Sequence, residues 1–552
     1  MGMVCHPPTV PDSATVQQQT AGSSAPNLAD RVRRAADRRP DRVALHWRDQ
    51  TLTWSELDAA VDGVARALTR AVPATDPASG QPPARVALAL PNSPDFVLGY
   101  LGALRAGLVA VPLNPGLTGP ELRHVLADSG ATVLVGTSAV VELVAGIAAE
   151  LPALTAVHTT LPTGATGPVA STRGGDDLAV LLYTSGTEGR PKGAMLSHRA
   201  LAANHEQVDR LTPPVVGPDD TVLLALPLFH AYGLNTGLGS VVHHGATGVL
   251  VDEFTTVGAL DEIARHRVSV LVGVPSMFQA WAEAGGTVAT AMASVRAAVC
   301  GAAPLEPAVA ARFAAVADRP VHVGYGLTET APVLTSTLVA GAPKPGSIGR
   351  ALPGVGLRLV APDGTDLWRD GVSPPEEDAD EMDLEVSSPG TDPGQIVVRG
   401  ENLFAGYWPD GRGGPDPDGW WATGDVAYAD ADGDLFLVDR LREVILVNGF
   451  NVYPHEVELV LQAHPAVAES AVLGVPHPRT GETVRAYVVP RAAGTVDAGE
   501  LLTHCARHLA RFKCPTSVEF VDALPHSAIG KVRKTLLRPS AAGDAHGGSD
   551  VH

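Results

Sequence analysis

Hydrophobic and polar positions in residues 27–135 follow two alternating patterns. Short apolar runs, such as residues 86–90 and 108–113, predict buried strands. The segments between them repeat apolar residues every three or four positions, as in residues 93–106, which predicts amphipathic helices. Strands that alternate with helices at this pitch predict an α/β fold with mostly parallel sheets.

The pattern changes in the second half of the chain. Residues 346–437 alternate short strands with turns, which predicts a small β-rich, barrel-like subdomain. Residues 442–538 combine strands and helices in a compact α+β unit. The predicted organisation is a disordered tail (1–26), a large N-terminal domain of two α/β layers plus the barrel-like subdomain (27–441), a hinge leading into a small C-terminal domain (442–538), and a second disordered tail (539–552).

Composition and charge narrow the function classes. The net charge of −20 argues against binding nucleic acid or an anionic membrane through bulk electrostatics. The four cysteines are scattered and show neither a disulfide framework nor a metal-ligand spacing, which predicts a reducing cytoplasm. No segment has the pattern of a signal peptide or of a membrane span. An acidic stretch between residues 362 and 393 is interpreted as a solvated loop.

A loop of hydroxyls and glycines follows the apolar run at residues 178–183. Glycines let backbone amides turn toward an anion, and hydroxyls donate further hydrogen bonds. Lys192 adds a mobile charge suited to a phosphate oxygen, and only five of the 40 basic residues are lysines. These residues predict a phosphate cradle, although composition alone also fits a plain surface loop. The predicted cradle consists of Thr184, Ser185, Gly186, Thr187, Glu188, Gly189 and Lys192.

The order of these residues is more specific than their composition. The string Tyr183-Thr-Ser-Gly-Thr-Glu-Gly-Arg-Pro-Lys-Gly193 resembles the AMP-binding signature of the adenylate-forming enzymes. Further motifs extend the resemblance over roughly residues 27–538, and they resemble bacterial fatty-acyl-CoA ligases most closely. Glu188 stands where the family usually has Thr, so the resemblance assigns it no role of its own.

The resemblance implies a nucleotide site assembled from distant segments. The tyrosine ring of Tyr325 is expected to pack against the adenine, and Asp425 to bind the ribose diol. Glu329 is expected to hold Mg²⁺. The remaining implied contacts to adenine, ribose or phosphate are Gly301, Ala302, Ala303, Pro304, Gly326, Thr328 and Arg440.

The same resemblance implies an acyl pocket, a catalytic lysine and a hinge. Lys531 matches the family's catalytic lysine, although Ile529 departs from the usual Thr before the glycine. The other implied catalytic residues are Glu329, Lys192 and His230. The pocket is expected to be lined by His230, Tyr232, Gly233, Met277 and Gly324, the hinge falls at Arg442, and the pantetheine arm of CoA is expected to meet Gly449 and Phe450.

The implied reaction has two halves. A carboxylic acid, here a fatty acid, attacks ATP to give acyl-AMP and pyrophosphate, and CoA then displaces AMP. One alternative is an acyl-AMP ligase that loads a carrier protein, in which case the stretch at 362–393 would be its insertion. Another is a non-catalytic homologue that binds acyl-adenylate. The expected partners are the acid, ATP and CoA, and the sequence leaves the oligomeric state open, with a homodimer as one option.

Overall fold

The predicted strands and helices are present and are arranged around four sheets. The computed structural model describes residues 26–72, 82–164, 167–184, 191–370, 390–440, 443–447, 450–477, 480–492, 494, 496–527 and 531–537. None of the helices in these ranges is long and apolar enough to cross a membrane.

The largest sheet has nine strands, and its six central strands are parallel. Its order from one edge to the other is β15 (Arg350–Ala351), β14 (Val333–Ser336), β13 (His322–Gly326), β12 (Ala297–Cys300), β11 (Val270–Gly273), β9 (Thr221–Leu224), β10 (Thr247–Leu250), β1 (Val43–Trp47) and β2 (Gln50–Thr53). The strands from β13 to β1 pair in parallel, whereas β14, β15 and β2 pair antiparallel.

A second, six-stranded sheet completes the two α/β layers. Its order is β6 (Ala156–His158), β5 (Val133–Gly136), β3 (Arg85–Ala89), β4 (Val109–Pro112), β7 (Leu178–Thr184) and β8 (Lys192–Ser197). Only the β7–β8 pair of this sheet is antiparallel. The two sheets share one hydrophobic core, because Val86 and Val180 of this sheet belong to the same buried cluster as Val222 and Leu271 of the first.

Helices of this domain lie between the strands, as the 3.6-residue periodicity predicts. They are α1 (Asp30–Arg38), α2 (Trp54–Ala71), α3 (Pro94–Arg105), α4 (Gly119–Ser129), α5 (Ser138–Ala145), α6 (His198–Val208), a π-helical segment (Tyr232–Gly239), α7 (Ser240–His244), α8 (Thr256–His266), α9 (Pro275–Ala284), α10 (Val288–Ala291) and α11 (Pro307–Ala317). Single 3₁₀ turns occupy Ala148–Glu150, Gly285–Thr287 and Thr328–Thr330.

Side-chain caps fix where these helices begin. The sequence predicts Ser197 as the cap of α6, and its hydroxyl accepts from the backbone N–H of Ala200 at 3.1 Å. The sequence also predicts Ser55 as the cap of α2, but the cap is Thr53, because Thr53 and Glu56 form a reciprocal capping box that starts the helix two residues earlier.

The β-rich subdomain is a five-stranded antiparallel sheet. Its order is β17 (Asp366–Arg369), β16 (Gly356–Val360), β18 (Gly394–Arg399), β19 (Trp420–Ala429) and β20 (Leu435–Arg440). Closure of this sheet into a barrel stays a prediction.

The C-terminal unit has its own sheet and its own core. Its strands are β22 (Phe450–Val452), β21 (Ile445–Val447), β24 (Gly481–Pro490) and β23 (Val467–His477), with β25 (Ser517–Phe520) parallel to β24. Its helices are α12 (Pro454–Gln462) and α13 (Ala498–His508), with 3₁₀ turns at Arg511–Lys513 and Lys534–Leu536. Val457, Leu461 and Leu501 pack against the strands in a cluster separate from the N-terminal core.

The first residue of α6 makes the stability of the fold depend on pH. The His198 ring is buried, and its Nδ1 accepts from the backbone N–H of Leu28 at 3.3 Å. Burial lowers the pKa of His198 to about 4. An unfolded histidine has a pKa of about 6.5, so the unfolded chain takes up a proton that the folded chain rejects. Stability should therefore fall as the pH is lowered from about 6.5 to about 4, by about 2 kcal/mol at pH 5 relative to pH 8.

Thermal unfolding between pH 8 and pH 5 checks this prediction. The Tm of the wild type should drop more steeply than that of His198→Gln, which lacks this titrating side chain. His508→Gln is the matched control, since the side chain of His508 is exposed, and it should retain the wild-type slope. Equal slopes for the wild type and His198→Gln would contradict the assignment.

Candidate active site

Four neighbouring parallel strands bring twelve of the predicted site residues to one edge of the large sheet. β9, β11, β12 and β13 lie side by side and point the same way. Ligands of open α/β sheets bind at the carboxyl ends of such strands. The residues that lie at or just beyond these ends are His230, Tyr232 and Gly233 after β9, Met277 after β11, Gly301, Ala302, Ala303 and Pro304 after β12, and Gly324, Tyr325, Gly326 and Thr328 in or after β13.

The predicted acyl and adenine segments meet at Gly301. A methyl group added at Gly301 would come within 2.9 Å of the Tyr232 ring and 3.3 Å of the Gly324 carbonyl oxygen. The Tyr232 hydroxyl donates to the carbonyl of Val299 at 3.5 Å. Because Gly301 has no side chain, the Tyr232 ring can pack directly against the backbone just after β12. Met277 is buried beside β11.

His230 is held in a turn whose geometry requires a glycine. A methyl group at Gly233 would lie 2.3 Å from the Pro227 carbonyl oxygen, so this position accepts no side chain. The Nδ1 of His230 accepts from the backbone N–H of Tyr232 at 3.3 Å. Burial lowers the pKa of His230 to about 4. The ring is therefore neutral near pH 7 and offers a hydrogen bond rather than a charge to a substrate.

Thr184 and Lys192 of the predicted phosphate cradle lie at the end of β7 and the start of β8. Thr184 and Lys192 are directly paired across the two strands, so they flank the loop between them. The Tyr183 ring covers Gly193, where a methyl group would come within 3.2 Å of it. The Tyr183 hydroxyl donates to Asp128 at 2.6 Å. The loop residues Ser185, Gly186, Thr187, Glu188 and Gly189 lie outside the described residues.

Tyr407 brings Lys192 and Glu329 to one place. Its hydroxyl donates to Oε1 of Glu329 at 2.7 Å, and Nζ of Lys192 lies 5.7 Å from the centre of its ring. The backbone N–H of Phe404 donates to the Glu329 carbonyl at 2.8 Å. The Glu329 side chain is buried beneath these contacts. The predicted metal-binding carboxylate therefore contacts the hydroxyl of Tyr407, and the predicted phosphate-binding ammonium lies over the ring of the same residue.

The β-rich subdomain supplies a second carboxylate to the same region. The Tyr325 hydroxyl donates to Oδ2 of Asp425 at 2.7 Å, and both residues are buried. Asp425 is paired with Arg440 across β19 and β20, although the side chain of Arg440 is not described. A residue of the large sheet is thus joined to a residue 100 positions later in the chain.

Lys531 is an exposed residue of the C-terminal unit. Its backbone N–H donates to the Ser527 hydroxyl at 3.1 Å, and its carbonyl accepts from the Ser527 N–H at 2.8 Å. Its approach to the nucleotide site stays a prediction. Ile529, Arg442, Gly449 and the side chain of Phe450 lie outside the described part of the chain, so their expected roles stay predictions too.

Sequence analysis missed Tyr407 and Asn402. Tyr407 lies within residues 346–437, for which the sequence predicts only a β-rich subdomain. Asn402 donates to the carbonyl of Thr330, next to Glu329, at 2.7 Å. Neither residue belongs to a periodic pattern or a spacing rule that links it to Glu329, so only the fold reveals them.

The AMP-binding enzyme family matches residues 32–408, and the AMP-binding enzyme C-terminal domain matches residues 456–531. The chain is 37% identical to the feruloyl-CoA synthase of Amycolatopsis sp., over 92% of this chain and 97% of that protein. It is 34% identical to the long-chain-fatty-acid–CoA ligase of Yersinia pestis, over 82% of this chain and 84% of that ligase. The ATP-bound MatB of Rhodopseudomonas palustris has a similar structure, with a TM-score of 0.81 and 32% identity over 93% of this chain and 98% of MatB.

The fold and these similarities define an AMP-forming acid–thiol ligase. The chain belongs to the AMP-binding enzyme family.

Proposed function

We propose that this enzyme uses ATP to convert an apolar carboxylic acid, a fatty acid, into acyl-AMP and then transfers the acyl group to CoA. The observation that carries the proposal is a pair of hydrogen bonds. The Tyr325 hydroxyl donates to Asp425, and the Tyr407 hydroxyl donates to Glu329. These bonds bury three predicted nucleotide-site residues, and they join residues 100 and 78 positions apart in the sequence. A surface loop with incidental carboxylates would not bury both acids against tyrosine hydroxyls.

The chemistry needs positive charge, because a carboxylate must attack an anionic phosphate. Lys192 and the cradle amides would bind the phosphates, and Lys531 would bridge the acid and the α-phosphate. Magnesium is a hard cation that prefers carboxylate oxygens, and the buried Glu329 carboxylate fits this preference. The Tyr407 hydroxyl donates to one of the two carboxylate oxygens of Glu329. When bound, the ion would neutralise charge that develops on the phosphates. The neutral ring of His230 would line the acid pocket without repelling or trapping the carboxylate.

An aromatic acid is the second candidate substrate. It is supported by the feruloyl-CoA synthase similarity, which spans 97% of that protein, whereas the fatty-acid ligase similarity spans 84% of its counterpart. The buried Tyr232 ring against Gly301 also supports it, because aromatic side chains stack well on a flat ring.

Cytoplasmic action fits the free thiols of Cys300, Cys505 and Cys514.

Pyrophosphate release from a panel of acids, each with and without CoA, tests the proposal. Fatty acids should give acyl-CoA, AMP and pyrophosphate in equal amounts. Higher kcat/KM for aromatic acids would replace the fatty acid with the second candidate. Accumulated acyl-AMP that ignores CoA but reacts with a phosphopantetheinyl carrier would identify a carrier-loading enzyme. No pyrophosphate from any acid would indicate a non-catalytic homologue.

A further inference from the structure

The loop that begins at Glu329 is held by groups from outside it. The carbonyl oxygens of Thr330, Ala331 and Val333 each accept from a side-chain amide. The donors are Nδ2 of Asn402 at 2.7 Å, Nδ2 of Asn235 at 2.8 Å and Nδ2 of Asn204 at 2.7 Å, respectively. With the Phe404 N–H on the Glu329 carbonyl, four of the five carbonyls from 329 to 333 have such an external donor.

The amides hold one another as well as the loop. Gln207 donates to Oδ1 of Asn402 at 3.0 Å and accepts from Nδ2 of Asn204 at 3.2 Å. The His205 ring contacts Oδ1 of Asn235 at 3.1 Å. All these side chains are buried, and Asn402 is 0% exposed. Because an unpaired buried amide is costly, these bonds keep each side chain in a single orientation.

The loop needs this restraint because its backbone is unfavourable by itself. Ala331 has a φ of 59°, in the left-handed region that non-glycine residues seldom adopt. A methyl group at Gly326 would lie 1.7 Å from the Pro332 carbonyl oxygen, so the chain crosses itself closely here. Without the external donors, the loop would relax and move the Glu329 carboxylate away from Tyr407.

We propose that Asn402, Gln207, Asn204 and Asn235 form a positioning network that fixes the Glu329 carboxylate, and thereby sets the affinity for metal-bound ATP phosphates rather than for the nucleoside. The inference rests on the role proposed for Glu329. The adenine and ribose contacts are expected at Tyr325 and Asp425, which hold each other directly. Loss of the network should therefore separate phosphate binding from nucleoside binding.

The test is equilibrium binding by calorimetry to Asn402→Leu, which keeps the side-chain size but removes the donor to Thr330. Binding of ATP with Mg²⁺, in the absence of any acid, should weaken about tenfold, a loss on the scale of one or two hydrogen bonds. Binding of AMP without Mg²⁺ should change less than twofold. Equal weakening of both ligands, or no change in either, would overturn the proposal.

Asn27→Leu is the matched control. Asn27 is also buried and donates to two backbone carbonyls, those of Leu104 at 2.8 Å and Arg173 at 3.0 Å. It should lower the Tm while leaving the ratio of ATP to AMP affinity unchanged. If the ratio of ATP to AMP affinity shifted as much in Asn27→Leu as in Asn402→Leu, the network would contribute to stability only and would not position Glu329.

A milder variant covers the case in which Asn402→Leu fails to fold. Gln207→Met keeps the bonds from Asn402 to Thr330 and from Asn204 to Val333 and removes the bonds of Gln207 to both asparagines. It should therefore shift the affinity ratio in the same direction by a smaller factor. An unchanged ratio in folded Gln207→Met would overturn the proposal. An enzyme that released no pyrophosphate from any acid would contradict the proposed function. The binding test would still distinguish the outcomes of this proposal, because binding is measured without turnover.

Discussion

Replacing Lys531 with alanine should lower pyrophosphate release about 10²- to 10³-fold while leaving thioester formation from supplied acyl-AMP nearly unchanged. The size is that of losing one charged group that stabilises a transition state. The selectivity follows from the exposed position of Lys531 in the C-terminal unit, which has a core of its own. Such a unit can bring the lysine in for one half-reaction and withdraw it for the other.

Lys344→Ala is the control for this experiment. Lys344 also belongs to the small set of lysines, but its ammonium is bound by Asp430 and Asp432 in the connection between β19 and β20. It should leave both half-reactions close to wild type. The decisive measurement is the ratio of the two half-reaction rates in one preparation, and an equal loss in both would rule out a lysine that serves adenylation alone.

Local patterns in the sequence predicted most of the fold. Periodicity located the strands and helices to within a few residues, and the hydroxyl of Ser197 identified the start of α6. The error at α2 had a local cause that the sequence contained, since Thr53 and Glu56 have the spacing of a capping box. Periodicity and helix caps depend on residues only a few positions apart, so they can be predicted from a single sequence.

The candidate site was predicted only as separate motifs. Glu329, Tyr325 and Asp425 each lie in a recognisable string, but the hydrogen bonds that pair them join residues 78 and 100 positions apart. Tyr407 and the amides of the network do not lie in any recognisable sequence motif. Asparagine and glutamine are common on surfaces, and only burial together reveals that these amides hold a loop.

Asp425→Ala should weaken ATP binding about 10- to 100-fold. A carboxylate that accepts from both ribose hydroxyls contributes about 1.5–3 kcal/mol through charged hydrogen bonds. The position favours this role, because Asp425 is buried, keeps Oδ2 on the Tyr325 hydroxyl at 2.7 Å and is paired with Arg440 across two strands. Tyr325→Phe retains the carboxylate and removes only its partner, so its effect on ATP binding should be smaller.

Deoxynucleotides identify the hydroxyls that Asp425 contacts. Wild type should bind 2′-deoxy-ATP and 3′-deoxy-ATP more weakly than ATP, whereas Asp425→Ala should bind all three with nearly equal affinity. In a double-mutant cycle, the side chain and the hydroxyl are coupled only if they touch, so the deoxy penalty must disappear together with the carboxylate. If the penalty persists in Asp425→Ala, another residue holds the ribose, and the Tyr325–Asp425 bond serves only to fasten the β-rich subdomain to the large sheet.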